Sequence, residues 1–160
     1  MSKNSTGFHI DLEQLKHNWK WLDARTEGKC RTASVVKADA YGHGIKAVAK
    51  SLFEAGCRLF CVARIEEAYQ LRTILNPKNN VTDVAEIICF DGLQDNDLVF
   101  YRTHKIIPAL KQLSEIEYAS KFADASGKAM PVWIQLDTGM NRLGISESEL
   151  STLSVGHKSD

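Results

Sequence analysis

The 160-residue sequence predicts an α/β fold built on parallel strands, and three observations carry that expectation. Short, continuously apolar runs alternate along the chain with longer stretches whose apolar residues recur three and four apart. The links between them are short. The apolar runs do not alternate with polar residues, as strands buried on both faces do not. Strand, helix, strand, helix with short links means parallel strands joined by right-handed crossovers. An open doubly wound sheet and a closed (β/α)₈ barrel both satisfy this pattern. About five β/α units are present, fewer than the eight that close a barrel, so in the barrel reading the chain holds an arc of it.

The elements follow in order. A first helix spans 11–25, with Leu12, Leu15, Trp19 and Leu22 on one stripe. Asp11 is its expected N-cap, and Gln14 three residues on completes a weak capping box. A first strand covers 33–37. The second helix, 45–55, ends before Gly56, which occupies the position that favours left-handed backbone. Strand 59–63 leads to helix 65–75, closed by Asn76-Pro77, and a polar loop covers 78–83. Strand 85–90 precedes a short helix around 94–101. Strand 105–108 ends at Pro108, and helix 109–125 follows, closed by Ser126-Gly127. Strand 132–136 and a last helix from about residue 147 complete the pattern. There is no internal repeat at solenoid periods.

Composition narrows the function classes. Lys plus Arg and Asp plus Glu number 20 each, so the formal net charge is zero and the chain lacks the basic footprint of a nucleic-acid binder. No apolar stretch approaches the roughly 20 residues that span a bilayer. Residues 1–7 are polar and lack the apolar core of a signal peptide, which points to the cytoplasm. Cys30, Cys61 and Cys89 lie in or beside apolar runs and read as reduced, buried small hydrophobes. The spacing of Cys57 and Cys61 matches neither zinc-ribbon nor thioredoxin patterns, so neither a metal nor a redox role is expected.

The chemistry concentrates after the first strand. Functional groups in parallel α/β folds gather at the carboxyl ends of strands, and Lys37 stands at such an end behind four residues that read as buried. A partly desolvated amine is a good nucleophile toward a carbonyl, which makes Schiff-base chemistry the natural expectation. Gly42 and Gly44 allow unusual backbone angles. The helix opening at Ile45 offers free N–H groups to an anion. Taken alone, each feature has an ordinary reading: a solvated lysine, turn glycines, and His43 as a loop histidine.

Their combination does not. Val35-Val-Lys-Ala-Asp-Ala-Tyr-Gly-His-Gly44 resembles the pyridoxal 5′-phosphate (PLP) lysine signature of alanine racemases. The resemblance implies that Lys37 carries PLP as a Schiff base and serves as one of two bases that move the α-proton. It also implies that the Tyr41 hydroxyl meets the cofactor phosphate. Leu136-Asp-Thr-Gly-Met-Asn-Arg-Leu-Gly144 resembles the family's second signature. There Arg142 would hydrogen-bond the cofactor's phenolic oxygen and help hold the substrate carboxylate, a role suited to a planar guanidinium. Phe60-Cys-Val-Ala-Arg-Ile-Glu-Glu-Ala68 and Ile10-Asp-Leu-Glu-Gln-Leu-Lys-His-Asn18 resemble the family's second strand with its helix and its opening segment. The charges of the 60–68 block need no role beyond a solvated helix face.

The family implies the rest: a partial (β/α)₈ PLP-binding barrel over residues 1–160, interconversion of L- and D-alanine for peptidoglycan, and a homodimer. A second catalytic base, a tyrosine, would come from a β-rich C-terminal domain that these residues do not include. A fragment with one base is expected to be inactive and, with two open sheet edges, to fold poorly. Many family members carry a carbamylated lysine seven residues before the signature arginine. Here that position is Gln135, which cannot be carbamylated. Its amide oxygen can accept a hydrogen bond from Arg142, so Gln135 is expected to act as a neutral orienter. A broad-specificity amino-acid racemase, a decarboxylase of the same barrel type and a non-catalytic PLP-binding protein remain alternatives.

Overall fold

The computed structural model describes residues 7–76, 84–94, 97–126 and 130–151. Its elements are α1 (Leu12–Ala24), β1 (Ser34–Val35), α2 (Lys37–Tyr41), α3 (Ile45–Glu54), β2 (Leu59–Val62), α4 (Ile65–Leu75), β3 (Glu86–Cys89), α5 (Asp97–Thr103), β4 (Ile106–Leu110), α6 (Leu113–Ser126), β5 (Trp133–Ile134) and α7 (Glu147–Leu150). The five strands form one sheet in sequence order, β1-β2-β3-β4-β5, and every neighbouring pair is parallel. This is a sheet in barrel order; a doubly wound sheet reverses direction at a switch point.

Period-two alternation sorts the side chains onto two faces. Val36, Phe60, Val62, Ile87, Cys89, Ile106 and Leu110 face the helices and pack with Val48, Leu52, Leu71 and Leu98. Leu59, Cys61, Ile88 and Ala109 cluster on the opposite face with Phe90 and Ile107. Register places Val35 beside Cys61 and Trp133 beside Ala109, so both belong to this second face. Val35 and Trp133 are 41% and 42% exposed, since among the described residues the sheet has no neighbour beyond β1 or β5.

Several boundaries differ from the sequence reading. The first strand stops at Val35, and Lys37 belongs to the turn that follows. Ala33 and Val35 are exposed while Ser34 and Val36 are buried, so the run before Lys37 is covered on one side only. β4 continues through Pro108 to Leu110, and the helix starts at Leu113. Ala109 and Leu110 are fully buried on opposite faces, which a strand achieves and a helix start does not. The short helix lies at 97–103 rather than 94–101. Asp11 caps α1 by accepting from the Gln14 N–H at 2.9 Å. The Gln14 side chain donates to Asn18 instead of completing a box, and Leu22 is half exposed. Cys57, Cys61 and Cys89 are buried, whereas Cys30 is exposed beyond the end of α1. Pro77, the loop 78–83, Gly127 and the tail beyond Ser151 lie outside the described residues.

Candidate active site

Because all five strands are parallel, their carboxyl ends meet along one rim. Lys37 follows β1 there. The chain leaves extended geometry at Val36 (φ −124°, ψ 25°), so Lys37 begins the turn, and it is half-buried. The backbone then does something the sequence did not signal. Ala38, Asp39 and Ala40 hold φ of 51°, 55° and 54° with ψ of 53°, 46° and 49°, and Tyr41 holds φ of 55°. The segment α2 is therefore a turn of left-handed helix built without glycine, closed by Gly42 at φ 79°. Its internal bonds run from Ala40 N to Val36 O at 3.0 Å and from Gly42 N to Ala38 O at 2.9 Å. The turn brings the Tyr41 ring under the Lys37 ammonium, 5.9 Å from Nζ to the ring centroid. Tyr41 is 58% exposed, leaving its hydroxyl open to a ligand.

Three side chains secure the turn. Asp39 Oδ1 accepts from the Ile45 N–H at 2.7 Å, so the first amide of α3 is already taken by the chain's own carboxylate. This corrects the expectation that α3 opens with that amide free for an anion. His43 Nδ1 donates to Ala40 O at 2.8 Å; a carbonyl can only accept, which settles the proton's place. Glu67 Oε1 accepts from the Ala38 N–H at 2.7 Å. Its other oxygen accepts from Ala63 N at 2.9 Å and Arg64 N at 3.1 Å. The sequence reading had left Glu67 as a solvated charge. The available signal was its place as the third helical residue after a strand, where an acid reaches back to cap amides.

At the far edge of the sheet, residues 137–144 fold back on β5. Asp137 Oδ1 accepts from Gly139 N and Asn141 N, each at 3.0 Å. Those backbone donors hold its carboxyl below the usual carboxylate range. Ile145 N donates to Gln135 O at 2.8 Å and Asp137 N donates to Ile145 O at 3.0 Å, closing the loop. Gly144, at φ +114°, passes so close that a Cβ there would sit 2.8 Å from Asp137 N. Arg142 rides this loop, exposed.

Gln135 lies on the same face as Trp133, away from the helices, as its expected role requires. Its bonding differs from expectation: Nε2 donates to Leu143 O at 3.3 Å. Among the described residues no hydrogen bond or ion pair joins Arg142 to Gln135, Lys37 or Tyr41. Gln135 therefore fastens the peptide beside Arg142 rather than the guanidinium. The structure brings Lys37 and Tyr41 together and leaves Arg142 at the opposite sheet edge. A cavity of about 550 Å³ opens between α1 and β1 and is lined by Tyr41 and His43 but not by Lys37.

The donor set suits PLP. An amine that carries no anionic partner among the described residues stands beside an accessible phenol. Two residues before Lys37, Val35 is exposed on the sheet face away from the helices. Lys37 could hold the aldehyde carbon and Tyr41 a phosphate oxygen.

Comparison with known proteins identifies the family. The family model for the N-terminal domain of alanine racemase matches residues 10–156. The chain is 43% identical over 146 residues to a catabolic alanine racemase of Agrobacterium fabrum, covering 91% of this chain and 36% of that protein. It is 40% identical over 144 residues to an alanine racemase of Brucella suis, covering 90% and 35%. The crystal structure of alanine racemase from Bartonella henselae with covalently bound pyridoxal phosphate superposes with a TM-score of 0.79 at 36% identity, covering 90% of this chain and 40% of that one. The chain thus spans about a third of the length of the curated relatives it matches.

Proposed function

The chain belongs to the family of alanine racemase N-terminal domains, and from that premise we propose that residues 1–160 are the PLP-binding barrel portion of an amino-acid racemase acting on alanine. The observation that carries this reading is the half-buried Lys37 amine, set over Tyr41 by a left-handed turn at the carboxyl rim of a parallel sheet. When bound, PLP supplies the electron sink that makes the α-hydrogen of an amino acid removable.

The chain's own residues do the rest. Lys37 Nζ would hold the cofactor's aldehyde carbon and would serve as a base on one face of the substrate Cα. The Tyr41 hydroxyl donates to a phosphate oxygen. Arg142 would donate to the cofactor's phenolic oxygen and to the substrate carboxylate, a task for which its several fixed N–H donors suit it better than a lysine. Gln135 sets the Arg142 loop through the Leu143 carbonyl. Racemisation needs a second base on the opposite face. That base would be a tyrosine from the C-terminal domain of a partner subunit in a homodimer, outside residues 1–160. The chain alone is therefore expected to be inactive as a racemase.

In the cell the reaction supplies D-alanine for peptidoglycan in the cytoplasm. No helix among the described residues is long and apolar enough to cross a membrane. The Agrobacterium fabrum relative favours a second reading of the physiology, the same chemistry run to consume one enantiomer of alanine.

The test is chemical. The chain is incubated with PLP, reduced with borohydride and digested, and the pyridoxyl group is located by mass spectrometry. Lys37 should carry it in preference to Lys16, Lys20 and Lys29, and Lys37→Ala should lose it. Uniform modification of all lysines would sink the proposal. Incubation with L-alanine should yield no appreciable D-alanine, and rapid racemisation by these 160 residues would overturn the two-base reading.

A further inference from the structure

The geometry points to Glu67 as a positioning residue for Lys37, a role that rests on the proposed function. Glu67 belongs to α4, three elements beyond the lysine in sequence. Its carboxylate nevertheless ties three backbone amides together: Ala38 N at 2.7 Å, Ala63 N at 2.9 Å and Arg64 N at 3.1 Å. Ala38 is the residue directly after Lys37 and the first of the left-handed run. Its N–H cannot be used inside the turn, where the bonds begin at Ala40 N. Glu67 therefore fixes the peptide plane that joins Lys37 to the turn, and so the direction in which the Lys37 side chain leaves the backbone. The other two bonds hold Glu67 to the link between β2 and α4. The lysine is thus referenced to the neighbouring strand end, not only to its own.

A carboxylate suits the position because it offers about four lone-pair sites and no donor. All three partners are donors. Glutamine could accept from Ala38 or from the Ala63–Arg64 link, but its NH₂ would face an N–H on the other side. Glu66, one residue earlier in the same helical turn, supplies a built-in control. It contributes the same charge near the helix N-terminus, and its carboxylate lies 3.6 Å from Arg64 Nε rather than on the Lys37 turn.

The experiment compares the 160-residue chain with Glu67→Ala, Glu67→Gln and Glu66→Ala by two readouts. The first is backbone hydrogen exchange without PLP. Losing a charge-assisted bond should speed exchange at Ala38 about 10- to 100-fold in Glu67→Ala, with a smaller rise in Glu67→Gln and none in Glu66→Ala. Amides of β3 and β4 should keep their protection in all variants, which separates a local role from general destabilisation. The second is the rate at which the Lys37 amine adds to the aldehyde carbon of PLP with loss of water, fixed by hydride from borohydride. It is read as Lys37 modification relative to Lys16 and Lys20 in the same sample. Misdirection of the amine should lower that ratio about tenfold in Glu67→Ala.

Unchanged Ala38 exchange in Glu67→Ala overturns the inference at its structural root. Faster exchange with an unchanged Lys37 ratio overturns the positioning role and leaves the proposed function standing. Failure of wild-type Lys37 to be modified preferentially overturns both. A selective fall in both readouts for Glu67→Ala, with Glu66→Ala like wild type, establishes the role.

Discussion

Arg72 offers the sharpest test of what holds the rim in place. Arg72 is 9% exposed and has no carboxylate partner among the described residues. The guanidinium donates instead to three carbonyls: Nε to His104 at 2.9 Å, one terminal nitrogen to Ala85 at 2.7 Å and the other to Lys105 at 2.6 Å. It thereby joins α4 to the entry of β3 and to the α5–β4 corner, where Lys105 takes a φ of 51°. Desolvation lowers its pKa, yet a guanidinium stays charged at any working pH. Arg72→Met removes all three bonds while keeping an apolar stem. Hydrogen bonds to charged groups contribute about 1.5–3 kcal/mol each, which sets an upper bound of about 5–9 kcal/mol. Only the Ala85 bond is fully buried. The bonds to His104 and Lys105 are only partly buried, and Lys105 lines an open cavity of about 370 Å³ that can admit water, so their loss is largely compensated. About 2–3 kcal/mol is the expected cost. In urea, with a slope of about 1–3 kcal/mol per molar, the midpoint should fall by about 1–2 M. Arg72→Lys should recover part of this, since an ammonium cannot fork across three carbonyls. A midpoint shift below roughly 0.3 M for Arg72→Met would refute the reasoning.

Gly144→Ala should displace the Arg142 loop, because its Cβ would meet Asp137 N at 2.8 Å and Leu136 C at 2.9 Å at a φ of +114°. The obstacle is backbone, so a loss of about 1–3 kcal/mol is expected in thermal or urea unfolding, and an unchanged midpoint would contradict the close approach. Glu86 is held below its ordinary pKa chiefly by its hydrogen bonds from Arg31. A depressed folded pKa gives stability that is present above the unfolded value of 4.5 and fades as pH falls through the folded one. Arg31→Ala should therefore flatten the stability profile below pH 4.5 and change stability little at neutrality, as loss of an exposed, screened pair does. A profile unchanged by the substitution would exclude the pair as the cause. Burial pushes the Cys61 thiol up to about 11 and raises those of Cys57 and Cys89, whereas Cys30 is exposed. A thiol reagent at pH 8 should modify Cys30 rapidly and the other three only after unfolding. Fast reaction of a second cysteine would show that the core opens.

What the sequence disclosed follows from which forces leave local traces. Continuous apolar runs exist because both sheet faces are covered, so β2, β3 and β4 were legible. At β1 the same reasoning overreached. Ala33 and Val35 have the composition of buried residues, but an edge strand covers them on one side only, and no local pattern marks an edge. The boundary at Pro108 was misplaced for a related cause. Proline is expected to end a strand because it lacks an N–H, yet burial of Ala109 and Leu110 carries the strand past it. Lys37, Tyr41 and Arg142 stand out as candidates through an ordered motif, not through any property of a lone lysine. Counting residues gives the expected face of Gln135. Its hydrogen-bond partner depends on how 137–144 folds back, which counting cannot give.

The left-handed turn shows most plainly why the remainder was hidden. Left-handed helical backbone costs an L-residue roughly 1–2 kcal/mol, so four successive non-glycine residues carry roughly 4–8 kcal/mol of local cost. That is comparable with the whole stability of a small domain. Local propensity argues against such a turn at Ala38, Ala40 and Tyr41, and only Asp39 is a residue that tolerates it. The turn persists because contacts distant in sequence over-determine it: Glu67 on Ala38, Asp39 on the start of α3, and Val36 and Ala40 burying the turn against the helix-side core. A similar device occurs two strands on, where Glu115 in the first turn of α6 accepts from Lys111 N at 2.6 Å and packs against Gly92 in the loop after β3. In both cases an acid in the first turn of a helix ties its own strand-to-helix link and reaches the preceding rim loop. Such an acid reads in sequence as a solvated charge. In the fold it makes adjacent strand ends a single frame, on which a lysine can be aimed.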